Sequence, residues 1–569
     1  MSTYLGQDTQ ITQTGHAILL NTEAISQLSS VLKNGLGPKG ATKMLITPAG
    51  EIRIVKNGLT LLRNIQLAQP GASLLSRILV QQGSECGDGL ISTVLVSSTL
   101  LNCALEYIQE GVHPQTIISG ILQKEKEIEE MLKDMLVPAE ATDEWIRNLA
   151  RTSLRTKFAE KQAEELSGLL VSAISALRTK SGEEIDLKMI EVIKMMNIDS
   201  EKPVRVVSGL VMDHGGRHPM MPKKLENVFI LCTNISFEYE KPELNAQFYY
   251  KSTEEKMRME EGERRGVLQR VEKIIRTIEE VARANSHQKP QFMVITQKGI
   301  DQHALEIFAR HNVLALRRAK KRNMERLQKL TGCTPIVDIS ELSKDVFGFA
   351  GSVREITVGE DMYTFIEKTP FSRACTILVQ GTSSYQMDYL ETSMKSALKS
   401  VACGISDKGA LPGGASVFFR LAENIGGGRN NKEERVANAV NQNKEQNKDG
   451  QGSSGKSSPS SENEESKKAN RGAMESQVAQ KIWKKALLAV PRVLSKNLGH
   501  NSVEAISKMR DSNKEYPMLE IQTGEIVSAL ERPIVDNYTV VANIIRSSSL
   551  VATKILMVDE IVKSGKEIK

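Results

Sequence analysis

The sequence has little of what marks a secreted, membrane-spanning or strongly basic protein. Its six cysteines are far apart and form no CxxC pair, so neither a disulfide framework nor a zinc module is predicted. No window approaches the roughly 18 uninterrupted apolar residues of a membrane span, and Met1–Gln13 lacks a secretory signal pattern. The net charge of +6 is a small difference between 75 basic and 69 acidic residues, and it indicates no nucleic-acid partner. These absences predict a cytoplasmic protein with reduced thiols.

What the sequence does contain is enough apolar residues for several domains. At 569 residues, with 40% hydrophobic and 25% charged residues, the chain is too long for one hydrophobic core. Segments near both ends have the spacing of helices or short strands. The predicted helices are Ile25–Leu32, Ala72–Val80, Ser92–Ile108, Ser476–Lys496 and Ala542–Lys563, and the predicted strands are Lys43–Ile46, Glu51–Val55 and Leu519–Gln522. The terminal thirds are therefore predicted to be mainly helical.

The middle of the chain, from about Val204 to Thr382, has a different pattern. Compact apolar runs alternate there with helical stretches, which predicts an inserted α/β domain. The runs are Val228–Leu231, Phe292–Ile295 and Thr376–Val379. A long amphipathic helix is predicted over Glu254–Ala284, and its charged first half, Glu254–Arg265, is expected to protrude into solvent.

The segment Gly426–Met474 contains no aromatic residue and is dominated by Gly, Ser, Asn, Gln, Lys and Glu. Such a composition cannot bury enough apolar area to offset the entropy cost of ordering the chain. We expect a disordered insert over 426–474.

A glycine-rich hexapeptide, Gly35–Gly40, satisfies the G-x-G-x-x-G pattern. A dinucleotide site would need a preceding strand, and here a helix precedes; Ala41 stands where a Walker A loop needs its Lys-Ser/Thr pair. Alone, the hexapeptide could equally be a structural turn. Three further motifs accompany it, namely Gly87-Asp88-Gly89, Arg151–Lys157 and Pro412–Ala415.

In order and spacing these four motifs resemble the ATP-site motifs of the eukaryotic cytosolic group II chaperonins, the T-complex protein 1 family. The resemblance is nearest to zeta-type subunits or a divergent zeta paralogue, and it covers nearly everything outside the insert. It continues through Gly209–Pro219, Phe237–Lys241, Gln297–Asp301 and Leu316–Arg326.

The resemblance implies an α+β multidomain chaperonin fold with three domains. A mainly helical equatorial domain would comprise 1–144 and 404–569, a small intermediate domain 145–208 and 369–403, and an inserted α/β apical substrate-binding domain 209–368. It also implies a hetero-oligomeric double ring of eight different subunits, which encloses non-native proteins such as actin and tubulin and closes on ATP hydrolysis.

The resemblance further implies a pocket for ATP and Mg²⁺. Glycine backbone N–H groups can bind phosphate, and the carboxylate of Asp88 can bind the metal ion. The expected nucleotide-binding residues are Leu36, Gly37, Pro38, Gly40, Gly89, Leu90, Ile91, Ser92, Thr156, Lys157, Gly413, Gly414 and Asp536.

Four positions depart from the family pattern. Asn57 stands where the family has an aspartate that organises metal and water, and Ser396 where it has the acid that activates water. Leu90 and Ile91 replace two phosphate-contacting threonines. Serine cannot accept a proton near neutral pH, so we expect slow or absent hydrolysis, with no intact catalytic residue. The loss of the two threonine hydroxyls predicts weakened ATP binding. The alternatives are an alignment slip near Ser396 or a compensating acid such as Asp407.

Three functions are compatible with these features. The chain could be an assembled chaperonin subunit, or a divergent paralogue that acts outside the ring as a scaffold or regulator. The basic run Arg317–Arg326 could also bind RNA, although it contains no aromatic residue for base stacking. Given the resemblance, a charged surface that faces substrate is the preferred interpretation of that run.

Overall fold

The computed structural model describes residues 10–12, 15–47, 50–140, 142–177, 186–197, 203–238, 252–285, 289–427 and 461–563. The chain forms two compact units. Unit 1 contains both ends of the chain, Met1–Ser167 and Thr392–Lys569, and unit 2 contains Gly168–Glu391.

Unit 1 is mainly helical. Its helices are α1 (His16–Leu32), α2 (Gly58–Asn64), α3 (Pro70–Glu85), α4 (Leu90–Gln109), α5 (Pro114–Asp134), α6 (Asp143–Arg155), the first part of α7 (Glu160–Leu177), most of α11 (Ser384–Asp407), α12 (Ser416–Gly427), α13 (Ser461–Leu498), α14 (Ser502–Asp511) and α15 (Tyr538–Leu556). Its strands are β1 (Gln10–Thr12), β2 (Lys43–Ile46), β3 (Ile52–Val55), β4 (Val137–Pro138), β14 (Gly409–Pro412), β15 (Pro517–Leu519), β16 (Ile526–Ser528), β17 (Val535–Asp536) and β18 (Ile561–Lys563).

The core of unit 1 is built around α4, which packs against α1, α13 and α15. By length and composition, α4 and α15 are apolar enough to cross a membrane, but 56% and 67% of their apolar windows are buried inside the protein. Helices that are apolar on most faces are expected at the centre of a helical layer. Around this core the small antiparallel sheets are β2–β3, β15–β16, β1–β18 and β17–β14–β4.

Unit 2 contains two sheets and three complete helices among its described residues. The strands are β5 (Ile190–Met196), β6 (Val204–Val207), β7 (Gly209–Met212), β8 (Lys224–Thr233), β9 (Gln291–Thr296), β10 (Val313–Leu316), β11 (Gly348–Val358), β12 (Asp361–Glu367) and β13 (Cys375–Gly381), and the helices are α8 (Thr253–Ala284), α9 (Gln302–Arg310) and α10 (Lys321–Thr331). The larger sheet has the order β10-β9-β8-β11-β12-β7, in which β8, β9 and β10 are parallel. The smaller sheet has the order β5-β13-β6.

Most predicted elements form where the apolar spacing indicates. The predicted long helix is α8, with Val271, Ile274 and Ile278 buried; along its charged first half, the described side chains from Glu254 to Arg265 are exposed. The run Thr376–Val379 differs, because β13 belongs to the smaller sheet and not to the sheet of the other two runs. An apolar run predicts a buried strand but does not specify its partners.

Two predictions near the C-terminus need correction. The predicted strand Leu519–Gln522 ends at Leu519, since a turn follows before β16. In place of the predicted helix Ala542–Lys563, α15 begins at Tyr538 and ends at Leu556. The last residues of the predicted range, Ile561–Lys563, form β18, which pairs with β1. A strand this short carries no periodicity that sequence could reveal.

Described helices overlap both ends of the predicted disordered insert, 426–474. Gly426 and Gly427 end α12, residues 428–460 lie outside the described residues, and α13 begins at Ser461. Glutamates occupy the first turns of α13 and lysines follow, an order that favours a helix through its dipole. From Ser476 onward the same helix is more apolar and packs against the core, and this part can stabilise the polar turns that precede it.

Candidate functional site

The glycine-rich loop follows α1 directly. It opens with a 3₁₀ turn at Lys33–Gly35 and closes through a 2.8 Å hydrogen bond from the Ala41 N–H to the carbonyl of Asn34. Gly37 has φ +86°, and a Cβ there would lie 2.5 Å from Leu494 Cδ1. A Cβ at Gly40 would collide with the carbonyl of Gly35. The loop therefore requires glycine at both positions.

A second tight loop, Gly87-Asp88-Gly89, joins α3 to α4. Gly87 and Gly89 have φ values of +75° and +83°, which favour glycine. A Cβ at Gly87 would lie 2.5 Å from the carbonyl oxygen of Ser396, so α11 packs directly on this loop. The Asp88 carboxylate accepts a 2.9 Å hydrogen bond from the Gly89 N–H. The second loop thus packs through Gly87 against the backbone of α11 at Ser396.

Two adjoining cavities lie between these loops. The larger measures ≈ 200 Å³ and the smaller ≈ 80 Å³. Expected nucleotide residues that line both are Leu36, Gly37, Gly89, Ser92 and Thr156, together with the expected metal ligand Asp88. The larger cavity adds Pro38, Gly414 and Asp536, whereas the smaller adds Leu90, Ile91, Lys157 and Asn57. The motifs that sequence places far apart therefore meet at one site.

Two expected nucleotide residues, Gly40 and Gly413, lie outside the lining of both cavities. Gly40 closes the glycine loop against Gly35. The Gly413 N–H donates a 3.0 Å hydrogen bond to the carbonyl of Ile534, and a Cβ at Gly413 would lie 2.7 Å from Ile534 Cγ2. Both glycines shape the site without facing its interior.

The charged groups of the site include carboxylates and a lysine. Burial raises the pKa of Asp536 to about 7, and the nearby carboxylate of Asp88 adds to the rise. Burial lowers the pKa of Lys157, an effect that the Asp88 carboxylate opposes. No group of three His, Cys, Asp or Glu side chains suited to a metal ion occurs in the described part of the chain. Asp88 still fits Mg²⁺, because this ion is commonly held by one or two carboxylates together with substrate phosphates.

The two substituted acid positions face each other. The Asn57 side-chain amide donates a 3.3 Å hydrogen bond to Ser396 Oγ, and its carbonyl oxygen accepts a 3.1 Å bond from the Leu59 N–H. Asn57 is 7% exposed and Ser396 is 4% exposed. Asn57 also caps the N-terminus of α2. The two positions at which the sequence analysis expects lost acids thus hold a neutral, hydrogen-bonded pair.

Leu90 and Ile91 fill the floor of the smaller cavity. Leu90 is 6% exposed, and a Cβ added at Gly58 would lie 3.7 Å from both Leu90 and Ile91. A Cβ at Gly35 would lie 3.3 Å from Ile91 Cδ1. These side chains pack on the glycine loop and on the start of α2. They offer no hydrogen bond to a phosphate.

Asp407, the acid that could compensate for Ser396, is engaged elsewhere. Its carboxylate accepts a 2.9 Å hydrogen bond from the Thr539 N–H and another from the Thr539 hydroxyl. These bonds hold the first turn of α15, and burial raises the pKa of Asp407. Asp407 lines neither cavity, so its position does not favour a role as a replacement base.

Sequence reasoning missed the apolar wall of the larger cavity. Phe418, Val490, Leu494, Met518 and Ile544 contribute to it. They come from α12, α13, β15 and α15. Within their helices they have the spacing of ordinary core residues, so no sequence signal distinguishes them from the core. An apolar wall of this kind can hold the ring system of a nucleotide base.

Comparison with known proteins finds relatives along nearly the whole chain. The sequence profile of the TCP-1/cpn60 chaperonin family matches residues 28–446 and 459–566. T-complex protein 1 subunit zeta-2 of Mus musculus is 34% identical over 559 residues, which cover 98% of this chain and 97% of that protein. The protein of the same name from Homo sapiens is 34% identical over 552 residues, 96% of each chain.

Proposed function

Because the chain belongs to the TCP-1/cpn60 chaperonin family, we propose that it is a subunit of a hetero-oligomeric double ring that helps non-native proteins to fold. In this proposal its own site binds ATP with Mg²⁺ and hydrolyses it slowly or not at all. The observation that carries the second part is the neutral Asn57–Ser396 pair, which lies where two acids would otherwise handle metal and water.

The proposed binding mode uses backbone donors and one carboxylate. N–H groups of the glycine loop and of the first turn of α4 would face the phosphates, as at other helix N-termini. Asp88 would hold the Mg²⁺ ion, which supplies charge neutralisation of the phosphates when bound. The apolar wall that includes Phe418 and Met518 would hold the base.

Hydrolysis lacks its proton acceptor at this site. Ser396 has a hydroxyl that stays protonated near neutral pH, and Asn57 is an amide, so neither can take a proton from an attacking water. Loss of a general base typically removes about 10²- to 10⁴-fold of rate. Leu90 and Ile91 weaken phosphate binding further, because they replace hydroxyl donors with apolar groups.

The proposed assembly, clients and domains are those that membership of the family implies. We propose cytoplasmic rings that contain other chaperonin subunits, with clients of the actin and tubulin class. We also propose three domains with equatorial, intermediate and apical roles, over the boundaries that the sequence predicts. The smaller sheet of unit 2, β5-β13-β6, contains strands from both predicted intermediate segments, which supports those boundaries.

A second candidate is a paralogue that acts outside the ring as a scaffold or regulator, and the altered pocket is the observation that favours it. The third interpretation, RNA binding through the basic run, is disfavoured by intramolecular contacts. Arg317 donates to the carbonyl of Ile300, Lys320 pairs with Asp213, and Arg318 lies 3.5 Å from Glu238. These partners reduce the charge available to phosphates.

Native-size fractionation of the tagged full-length protein tests ring membership. We expect the chain to elute at the size of a double ring and to co-purify with other chaperonin subunits. Elution only as a monomer with unrelated partners would contradict the proposal and favour the scaffold. Nucleotide extracted from the ring-sized fraction, identified by mass spectrometry, reports on the pocket separately.

A further inference from the structure

Unit 2 contains two buried cysteines at contact distance. Cys232 lies at the end of β8 and Cys333 follows α10, 101 positions later in the chain, yet their Sγ atoms are 2.9 Å apart. A disulfide bond is about 2.05 Å long. Both residues are free thiols, 0% and 1% exposed. A covalent bond between them therefore requires only a small movement.

The backbone on both sides of the pair is fixed. The Ile336 N–H donates a 3.0 Å hydrogen bond to the Cys232 carbonyl, and the Asn234 N–H donates a 2.8 Å bond to the Ile336 carbonyl. On the other side, a Cβ at Gly348 would lie 2.8 Å from Cys333 Cβ. The two thiols are thus held against each other by strand pairing and close packing.

One of the two cysteines lines a cavity. Cys333 belongs to the lining of a ≈ 540 Å³ cavity of unit 2, whereas Cys232 does not. Lys188, Lys329 and Arg373 line the same cavity, together with two acidic residues. Phe371, which also lines it, is 46% exposed, so the cavity opens to solvent. A small solute in this cavity therefore lies next to Cys333.

The contacts assign different roles to the two sulfur atoms. The hydrogen bond between the two thiols lowers the pKa of Cys333, and a contact with Thr331 adds to the effect. Burial raises the pKa of Cys232 well above its ordinary value. A thiolate is the reactive form of cysteine, and the neighbouring protonated thiol can resolve an oxidised intermediate.

We propose that Cys232 and Cys333 form a peroxide-sensitive dithiol, which closes to a reversible disulfide between β8 and the segment after α10. The Cys333 thiolate attacks one oxygen of hydrogen peroxide, the O–O bond breaks, and the departing hydroxide takes up a proton as water. Cys232 sulfur then attacks the Cys333 sulfenic acid, the S–O bond breaks, and the Cys232 proton leaves with the second water. The two thiols lose two electrons, which the peroxide gains; a dithiol reductant reverses the change.

The proposal does not depend on ring membership or on the nucleotide site. The disulfide closes a loop of about a hundred residues within unit 2, and such a crosslink restricts the unfolded chain. Oxidation should therefore raise the melting temperature of unit 2, by on the order of 5 °C or more. It would also fix the end of α10, which carries the buried Arg326–Glu191 ion pair.

Peptide mapping of the full-length protein tests the proposal. The reduced protein is treated with hydrogen peroxide, remaining thiols are alkylated, and crosslinked peptides are identified by mass spectrometry. We expect a Cys232–Cys333 crosslink that disappears after reduction. Oxidation of other cysteines without this crosslink would overturn the proposal. Full alkylation of both Cys232 and Cys333 after the peroxide treatment would overturn it too.

Substitutions separate the two roles. Cys232→Ser should leave a Cys333 sulfenic acid that dimedone traps, whereas Cys333→Ser should abolish both the trapped adduct and the crosslink. Cys375→Ser is the matched control, because Cys375 is buried in the same unit and burial raises its pKa to about 12. The control should form the crosslink as the unaltered protein does. Dimedone labelling of Cys232 in the Cys333 variant would reverse the assigned roles.

Discussion

At the residue scale, the proposed loss of hydrolysis depends on two neutral side chains, Asn57 and Ser396, that hydrogen-bond to each other. Asn57 uses both ends of its amide, one on Ser396 and one on the first turn of α2. A buried polar group without a partner costs about 1–3 kcal/mol, and each member of this neutral pair provides a partner for the other. The substitutions at the two positions are therefore physically coupled.

This coupling predicts different effects for two substitutions of Asn57. Asn57→Ala removes the cap of α2 and the partner of Ser396, which should cost about 1–2 kcal/mol. Hydrogen exchange of the α2 amides should then be roughly 5- to 30-fold faster. Asn57→Asp keeps the capping oxygen and serves as the control, with a smaller increase. Equal exchange in both variants would contradict the role of Asn57 as a cap.

The raised pKa of Asp536 predicts that the free energy of unfolding depends on pH. Its pKa in the folded protein, about 7, is raised above its unfolded value, so the folded state holds the proton more tightly. The stability contributed by this proton is complete at low pH, below the unfolded pKa, and is lost as the pH rises through about 7. Without divalent cations, we expect the unaltered protein to lose roughly 1–3 kcal/mol relative to Asp536→Asn between about pH 5 and pH 8.

Calorimetry of both proteins across this pH range measures the difference. The melting temperature of the unaltered protein should fall more steeply than that of Asp536→Asn. Parallel curves for the two proteins would contradict the assignment of a raised pKa to this carboxyl.

At the element scale, the proposed contact with phosphate depends on the first turn of α4. Its N–H groups are available at a helix N-terminus, but the side chains of Leu90 and Ile91 present aliphatic carbon to the smaller cavity. The helix position favours anions, whereas these side chains remove hydroxyl donors. The element is thus retained while its first two side chains oppose tight binding.

Restoring the hydroxyls should restore affinity. The double substitution Leu90→Thr/Ile91→Thr should tighten binding of a non-hydrolysable ATP analogue by about tenfold or more, since one hydrogen bond to a charged group contributes about 1.5–3 kcal/mol. Isothermal titration calorimetry measures this change. Ile108→Thr, at the other end of α4, is the control and should bind as the unaltered protein does. Equal affinity of all three proteins would show that the first turn does not contact phosphate.

The sequence predicts helices and strands well where apolar residues recur at a regular spacing. It predicts them poorly where a strand forms only because it pairs with another strand. The spacing of Val271, Ile274 and Ile278 was sufficient for α8. By contrast, β18 exists because it pairs with β1, and β13 belongs to the smaller sheet because of β5 and β6. The glycine loop and Asp88 were predictable from motifs. The apolar wall around Phe418 was not, because burial in a pocket and burial in a core need the same residue types.

At the scale of the whole molecule, both chain ends build one unit and the middle builds another. The proposed nucleotide site lies entirely in unit 1, and the cysteine pair Cys232–Cys333 lies entirely in unit 2. Changes at one site can therefore be made without altering the residues of the other. This separation makes it possible to test the pocket and the dithiol independently.

The central claim is that this chain holds nucleotide without turning it over at an ordinary rate. The most direct measurement is ATP hydrolysis by rings in which every other subunit's site has been inactivated, with bound nucleotide quantified in the same sample. We expect nucleotide to be present and hydrolysis to be at least ~100-fold slower than at an ordinary site. Hydrolysis at the rate of an ordinary subunit would contradict the account.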